Sequence, residues 1–200
     1  MKNFNMVNVL DTELTCYADG VFPEGEKQEI IEVGITTIDL HHLQVVRTYS
    51  IPVKPVMSSV SPFCTELTGW TAAKLARQGV SFAEACRRLS VKHGSQSRLL
   101  VTDSNGDVKS VREQCQLMNV EYPFGDDHMN VATLFSIVTG QRQNLGLVQM
   151  LTKLGITFEG IQHRAGADSF NIARVLLALL RNGRENLLSI QAKQDLETEK

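Results

Sequence analysis

The chain reads as one α/β domain built on a mixed sheet. Three features predict it: an apolar strand near the N-terminus that runs into carboxylates, two β-branched runs behind it, and a later stretch where helical periodicity takes over around one short apolar run. Two hundred residues, 42% hydrophobic and 21% charged, suffice for one well-buried core and fall short of two.

The first strand is Val7-Asn8-Val9-Leu10-Asp11-Thr12-Glu13-Leu14-Thr15. Glu29 to Ile38 and Val45 to Ile51 are rich in β-branched residues and flank the polar stretch Asp39 to Gln44, so they read as an antiparallel pair following strand one. Pro52 and Pro55 end the sheet region. Ser81-Phe82-Ala83-Glu84 is a capping box that opens a helix through about Lys92, with Gly94 just past its end. Arg98 to Asp103 is a short apolar strand. From Asp107, Val108, Val111, Cys115 and Met118 recur at helical spacing. The segment from Asn119 to Asn130 reads as a loop or lid. Helices follow over Asn144 to Leu154, ending at Gly155, and over Ala167 to Arg181, ending near Gly183. Residues 1–182 therefore form the domain, and 183–200 a peripheral helix that frays from Glu197 onward.

Composition excludes several classes. Cys16, Cys64, Cys86 and Cys115 are scattered with no C-x-x-C pair, which argues against a zinc ribbon or a disulfide framework and suits reduced thiols in the cytoplasm. No run approaches the roughly 18 apolar residues of a membrane span, and no basic-then-apolar leader opens the chain. The formal charge of −2 looks unfavourable for a polyanionic partner, but removing four nominated acids leaves a mildly basic remainder. Arg87-Arg88 with Lys92 is a local basic cluster, read as a solvated helix face. His41-His42 falls in a hairpin turn and Asp126-Asp127-His128 in a loop; both read as solvated.

The chemistry points to Asp11 and Glu13. Successive strand side chains alternate faces, so these two carboxylates share one. Like charges at the end of an apolar strand are costly unless a cation lies between them, and oxygen ligands suit a divalent one. Far downstream, His163 stands five positions ahead of Asp168 at the mouth of an apolar helix.

These segments resemble the DEDDh 3′-to-5′ exonuclease superfamily, whose fold is like ribonuclease H, and within it the enhanced-RNAi and histone-mRNA 3′-exonuclease group. Asp11-Thr12-Glu13-Leu14-Thr15-Cys16 resembles that group's D-x-E-x-T-C opening, and Glu29-Ile30-Ile31-Glu32 its second strand. Ser61 to Gly69 resembles its S-x-F-C-x-x-L-T-G segment, Gln114-Cys115-Gln116-Leu117 its second-motif helix, and His163 to Arg174 its third motif. The resemblance implies a metal-dependent exonuclease acting on the 3′ end of single-stranded nucleic acid, RNA favoured and DNA possible. It implies Asp11, Glu13, Asp107 and Asp168 around two Mg²⁺ or Mn²⁺ ions and His163 as general base. Phe63, Thr15, Leu67 and Thr68 are the implied substrate contacts. Asp103 competes with Asp107, but matching Gln114 to Leu117 favours Asp107 and leaves Asp103 a turn acid.

One departure is informative. The group commonly carries a tryptophan just before the second-motif Asp, as half of a clamp on the terminal base, and here that residue is Gly106. Phe63 matches the other half or is a core phenylalanine, and Trp70 is a possible substitute. Two other functions stay open: a binding protein of the same fold with weak catalysis, and a polymerase's proofreading subunit acting on DNA.

Overall fold

The computed structural model of the chain describes residues 5–198. Five strands, β1 (Met6–Leu14), β2 (Ile30–Asp39), β3 (Gln44–Pro52), β4 (Leu99–Thr102) and β5 (His128–Asn130), form one sheet in the order β3-β2-β1-β4-β5. β1 and β2 pair antiparallel, as do β2 and β3, whereas β4 runs parallel to both β1 and β5. The sheet is mixed, as the sequence predicts.

Seven helices flank it: α1 (Pro62–Thr68), α2 (Ala72–Gln78), α3 (Phe82–His93), α4 (Gly106–Met118), α5 (Val131–Thr139), α6 (Leu147–Lys153) and α7 (Ala165–Thr198). Strand alternation sorts the core into two layers. Val7, Val9, Ile38 and Val101 pack with Phe135, Leu151, Ile172 and Leu176 from α5, α6 and α7. Leu10, Val33, Ile35 and Leu100 face the other way, onto Phe82, Leu89 and Val111 of α3 and α4. α1 and α2 close a smaller cluster of Ile31, Cys64, Trp70 and Leu75.

Local signals explain most boundaries. The Ser81 side chain accepts the Glu84 N–H, and Gly94 ends α3 in the left-handed conformation. Four expectations need correction. The 119–130 segment is a loop only in part, because three residues at its end pair as β5. α5 was not foreseen: Val131-Ala132-Thr133-Leu134-Phe135-Ser136-Ile137-Val138-Thr139 is rich in residues of strand propensity, yet Asn130 caps it and burial of Phe135 holds it helical. α6 starts at Leu147 rather than Asn144. The last helix does not end near Gly183 but continues to Thr198, so 183–198 extends α7 rather than forming an element of its own. Residues 199–200, part of the expected frayed end, lie outside the described residues. No helix among the described residues is long and apolar enough to cross a membrane, and the four cysteines are free thiols.

Candidate active site

β1 delivers Asp11 and Glu13 to the sheet face that carries Val7 and Val9, the face α7 covers. Across the ladder from Asp11 stands Gly34, and across from Glu13 stands Glu32. Gly34 is what lets α7 come down on the sheet, since a methyl group there would lie 1.8 Å from the Ala165 carbonyl oxygen. The first turn of α7 thus lands beside the two β1 acids and brings Asp168 with it.

Oxygens of Asp11, Glu13 and Asp168 lie within 4.8 Å of one another, and so do those of Asp11, Asp103 and Asp107. Asp11 belongs to both groups. Asp107, in the first turn of α4, is held firmly: its Oδ1 accepts the Thr12 N–H at 3.0 Å and the Thr12 hydroxyl at 2.8 Å, and its Oδ2 accepts the Ser104 hydroxyl at 3.0 Å. β1 therefore contributes acids from its outward alternate positions and, through Thr12 between them, the clasp that orients a third. Asp103, expected as a bystander in a turn, joins the second group, because the chain bends sharply between β4 and α4 and folds it back toward Asp11.

Among the described residues none of these acids forms an ion pair, and Arg164 eases Glu13. Burial, with Asp107, Asp168, Glu13 and Asp103 pressing on it, pushes the Asp11 carboxyl well above its ordinary range. Burial and Asp168 push Glu13 up to about 8. Burial raises Asp103 and Asp168 each to about 6, Asp168 in spite of the backbone N–H groups of Arg164 and His163 that bond to it. Converging oxygen donors that resist ionisation on their own form a site fitted to hard divalent cations.

His163 stands on the rim of the same cleft, an opening of about 370 Å³ lined also by Asp11, Glu13, Asp103, Gln162 and Asp168. Its side chain is exposed, and its backbone is left-handed at φ 59°. Histidine, asparagine and aspartate adopt that conformation more readily than most residues.

Sequence reasoning missed what positions this segment. Glu32 is fully buried and accepts from Arg164 Nε at 3.2 Å, Arg164 Nη2 at 3.3 Å, the Ala165 N–H at 3.2 Å and Trp70 Nε1 at 2.8 Å, with the Ser50 hydroxyl as a further donor. Its signal was an acid inside an apolar strand run, which is rarely buried unless bonded. Trp70 is therefore not a substitute base platform: its indole is buried, bonded to Glu32, with the Arg164 guanidinium 4.5 Å from its ring centre.

α1 lies against the end of β1, where the Ser61 hydroxyl donates to the Cys16 carbonyl at 2.6 Å. Phe63 and Leu67 on this helix are 40% and 36% exposed, so Phe63 is not a core residue. Thr15 and Thr68 are buried instead. The Thr15 hydroxyl accepts the Glu29 N–H at 2.9 Å, and the Thr68 hydroxyl donates to the Cys64 carbonyl at 2.8 Å. Gly106 is exposed beside Asp107, and a side chain there would meet only the Ser104 hydroxyl, at 3.3 Å. His128 lies in β5 rather than in a solvated loop, with its Nε2 at 2.8 Å from the Thr102 hydroxyl, and it belongs to neither carboxylate group.

In sequence and in fold the chain is similar to known exonucleases. The exonuclease family pattern RNase_T matches residues 9–176. The rat protein named 3′-5′ exoribonuclease 1 is 30% identical over 192 residues, which cover 91% of this chain and 55% of the relative, so the chain spans about half the length of that protein. The solved nuclease domain of 3′hExo, described as a DEDDh family member bound to rAMP, superposes with a TM-score of 0.80 at 28% identity, covering 90% of this chain and 94% of that one. A 3′-exonuclease structure described as showing 3′-end recognition of a histone mRNA stem-loop superposes at 0.78 with 27% identity, covering 91% and 65%.

Proposed function

Because the chain belongs to the RNase_T exonuclease family, with a ribonuclease H-like fold, we propose that it is a metal-dependent 3′-to-5′ exonuclease acting on single-stranded nucleic acid, RNA in preference to DNA. The observation that carries this reading is the pair of carboxylate groups sharing Asp11, with His163 on the rim of their cleft. The preference for RNA is supported by the names of the rat and human relatives, both 3′-5′ exoribonuclease 1.

In this reading Asp11, Glu13 and Asp168 would hold one Mg²⁺ or Mn²⁺, and Asp11 with Asp107 and Asp103 would hold a second. When bound, such ions would supply Lewis acidity and an acidified water for phosphodiester hydrolysis. The protein's own tasks are positioning and proton transfer. His163 takes the proton of the attacking water, for which its ring is free and open to the cleft. Phe63 offers an exposed ring to the terminal base and Leu67 an apolar flank, while Thr15 and Thr68 hold α1 and its neighbours in place from within. With glycine at 106 the base meets an aromatic ring from one side only. The free thiols suit a reducing compartment, the cytoplasm in this reading.

A matched panel of 3′-labelled single-stranded RNA, single-stranded DNA and duplexes tests the proposal. Release of labelled mononucleotide with Mn²⁺ or Mg²⁺ and none in EDTA is expected, fastest on single-stranded RNA. Binding without shortening in either metal would leave a nucleic-acid-binding protein and overturn the enzyme.

A further inference from the structure

The basic cluster that read as a solvated helix face divides in two. Arg87 and Arg88 pair with Glu84, at 2.6 Å and 2.8 Å. Lys92 does not. It lies at the end of α3 beside an open cavity of about 390 Å³ between that helix and the edge strand β3, lined by Arg47, Tyr49, Arg88, Lys92 and His93 among others.

Here the polar accounting fails to close. Arg47 Nε, His93 Nδ1 and Arg98 Nη1 are all buried without a hydrogen-bond partner. These are three of the four such atoms among the described residues; Arg47 and His93 line the cavity, and Arg98 Nε comes within 3.6 Å of where a Cβ on Gly94, the residue after His93, would sit. Arg47 donates one hydrogen bond, from Nη2 to the Lys92 carbonyl at 2.7 Å, and its guanidinium lies 6.0 Å from the Tyr49 ring centre. Among the described residues no carboxylate pairs with Arg47, Lys92 or Arg98. The crowding of like charge is felt by the groups themselves: burial, then Arg47, Arg98 and Lys92, lower His93 to about 4, and burial and Arg47 lower Arg98. Buried donors are nearly always satisfied, and converging cationic ones without an acceptor lack an anion.

We propose that Arg47, His93 and Arg98, with Lys92 at the mouth, form a second binding site, one that takes a phosphate group. The guanidinium forks match phosphate oxygens, and the neutral imidazole adds an N–H donor if its proton sits on Nδ1. Tyr49, half exposed and stacked edge-on against His93 at 5.2 Å, gives the cavity an aromatic wall suited to a base or sugar next to that phosphate.

The site is separate from the carboxylates. Arg47 stands across the ladder from Thr37 and, through it, from Asn8, three residues before Asp11 and on the opposite face of the sheet. Asn8 ties the two elements together by donating to the His93 carbonyl at 2.9 Å. Phosphate binding here does not depend on the catalytic reading, and a nucleic-acid strand reaching both places would pass around the β3 edge.

The phosphate could be free or part of a nucleic-acid backbone, and the experiment has an arm for each. All measurements are made on the full chain in EDTA, so that no cleavage occurs. Inorganic phosphate is titrated against chloride at equal ionic strength, following the Nε–Hε signals of Arg47 and Arg98 by NMR and the melting temperature, which rises roughly 3–6 °C at ten times Kd. A single-stranded oligonucleotide is titrated over a range of salt with the wild type and with Arg47→Gln, Lys92→Gln and Arg98→Gln. A phosphate effect that the variants lose supports the site with a free anion as ligand. Weakened oligonucleotide binding, with the log–log salt slope reduced by about 0.7 for each lost contact, supports it with backbone as ligand. Unmoved arginine signals in both titrations, or equal effects in wild type and variants, would overturn it. Lys92 is exposed, so its variant stands even if Arg47→Gln does not fold, and the arginine signals need no variant at all. Mononucleotide release with added metal, measured at saturating oligonucleotide, remains the separate test of the carboxylates.

Discussion

The Arg164 guanidinium rests on the buried Glu32 carboxylate, Nε at 3.2 Å from Oε2, and by this bond the middle of the sheet grips the residue next to His163. Glu32 also accepts the Ala165 N–H that opens α7, so one side chain on β2 sets where the rim histidine and Asp168 stand relative to β1. Arg164 in turn lowers Glu13 against its acidic surroundings.

Glu32→Gln should therefore cost both stability and turnover. Breaking a buried pair by removing one partner costs about 3–5 kcal/mol, and the lower end applies because Arg164 is one-third exposed and stays partly hydrated. Urea unfolding measures the first effect and turnover at saturating substrate the second. A variant as stable as the wild type would show that the network is not what anchors the segment.

Gly34→Ala is the steric counterpart. Its methyl group would overlap the Ala165 backbone, which belongs to the start of a helix and has no rotamer by which to move aside. Overpacking of this kind costs about 1–3 kcal/mol or more, and the expected shift of α7 carries Asp168 away from Asp11. Loss of metal-induced stabilisation together with a lower melting temperature is the expected result. A variant that keeps full metal-induced stabilisation would mean α7 can lift without opening the site.

That Asp11 and Glu13 share a face was legible because alternation on a strand is a local rule, whereas His163 and Asp168 were picked out by their spacing together with the family resemblance. What escaped was set by distance in sequence. Nothing near Asp103 says that the bend after β4 turns it toward Asp11, and nothing near Glu32 says that its partner lies 132 residues on. β5 is three residues long and α5 is rich in β-branched side chains, so pattern and propensity were too weak or pointed the wrong way where packing decided.

The acids predict how the metal-free protein responds to pH. Glu13 and Asp168 bind protons more tightly folded than unfolded, so above the ordinary carboxylate range the unfolded chain ionises first and the fold loses stability as pH rises. The loss begins near 4–4.5, where unperturbed carboxyl groups titrate, and continues to about 6 for Asp168 and about 8 for Glu13. It amounts to a few kcal/mol in order of magnitude. In EDTA the melting temperature should fall between pH 5 and 8, and saturating Mn²⁺ should flatten the decline. Asp11→Asn should melt higher than wild type in EDTA at pH 8 and gain little from Mn²⁺. Equal gains from Mn²⁺ in both proteins would sink the metal assignment.

Asp107 and Asp103 separate by what else they hold. Asp107→Asn weakens the cation group and the clasp on Thr12 together, whereas Asp103→Asn removes only a charge from the group. Turnover is expected to fall in both, by about 10–100-fold for Asp103→Asn and further for Asp107→Asn. Unimpaired turnover in Asp103→Asn would return that residue to the role of a turn acid.

The decisive variant at the rim is His163→Asn, chosen for the backbone as much as for the ring. At φ 59° alanine carries a conformational penalty that asparagine largely escapes, so a stability loss in His163→Ala would confuse strain with function. Asparagine keeps a polar group of similar reach but takes no proton at any working pH. His163→Asn should thus melt as the wild type does, keep the full Mn²⁺-induced rise in melting temperature, and lose turnover by roughly 10²–10⁴-fold, the usual contribution of a general base. Falling metal affinity in step with turnover would make His163 part of the cation site, and near-normal turnover would leave the base to be found elsewhere among the residues of the cleft.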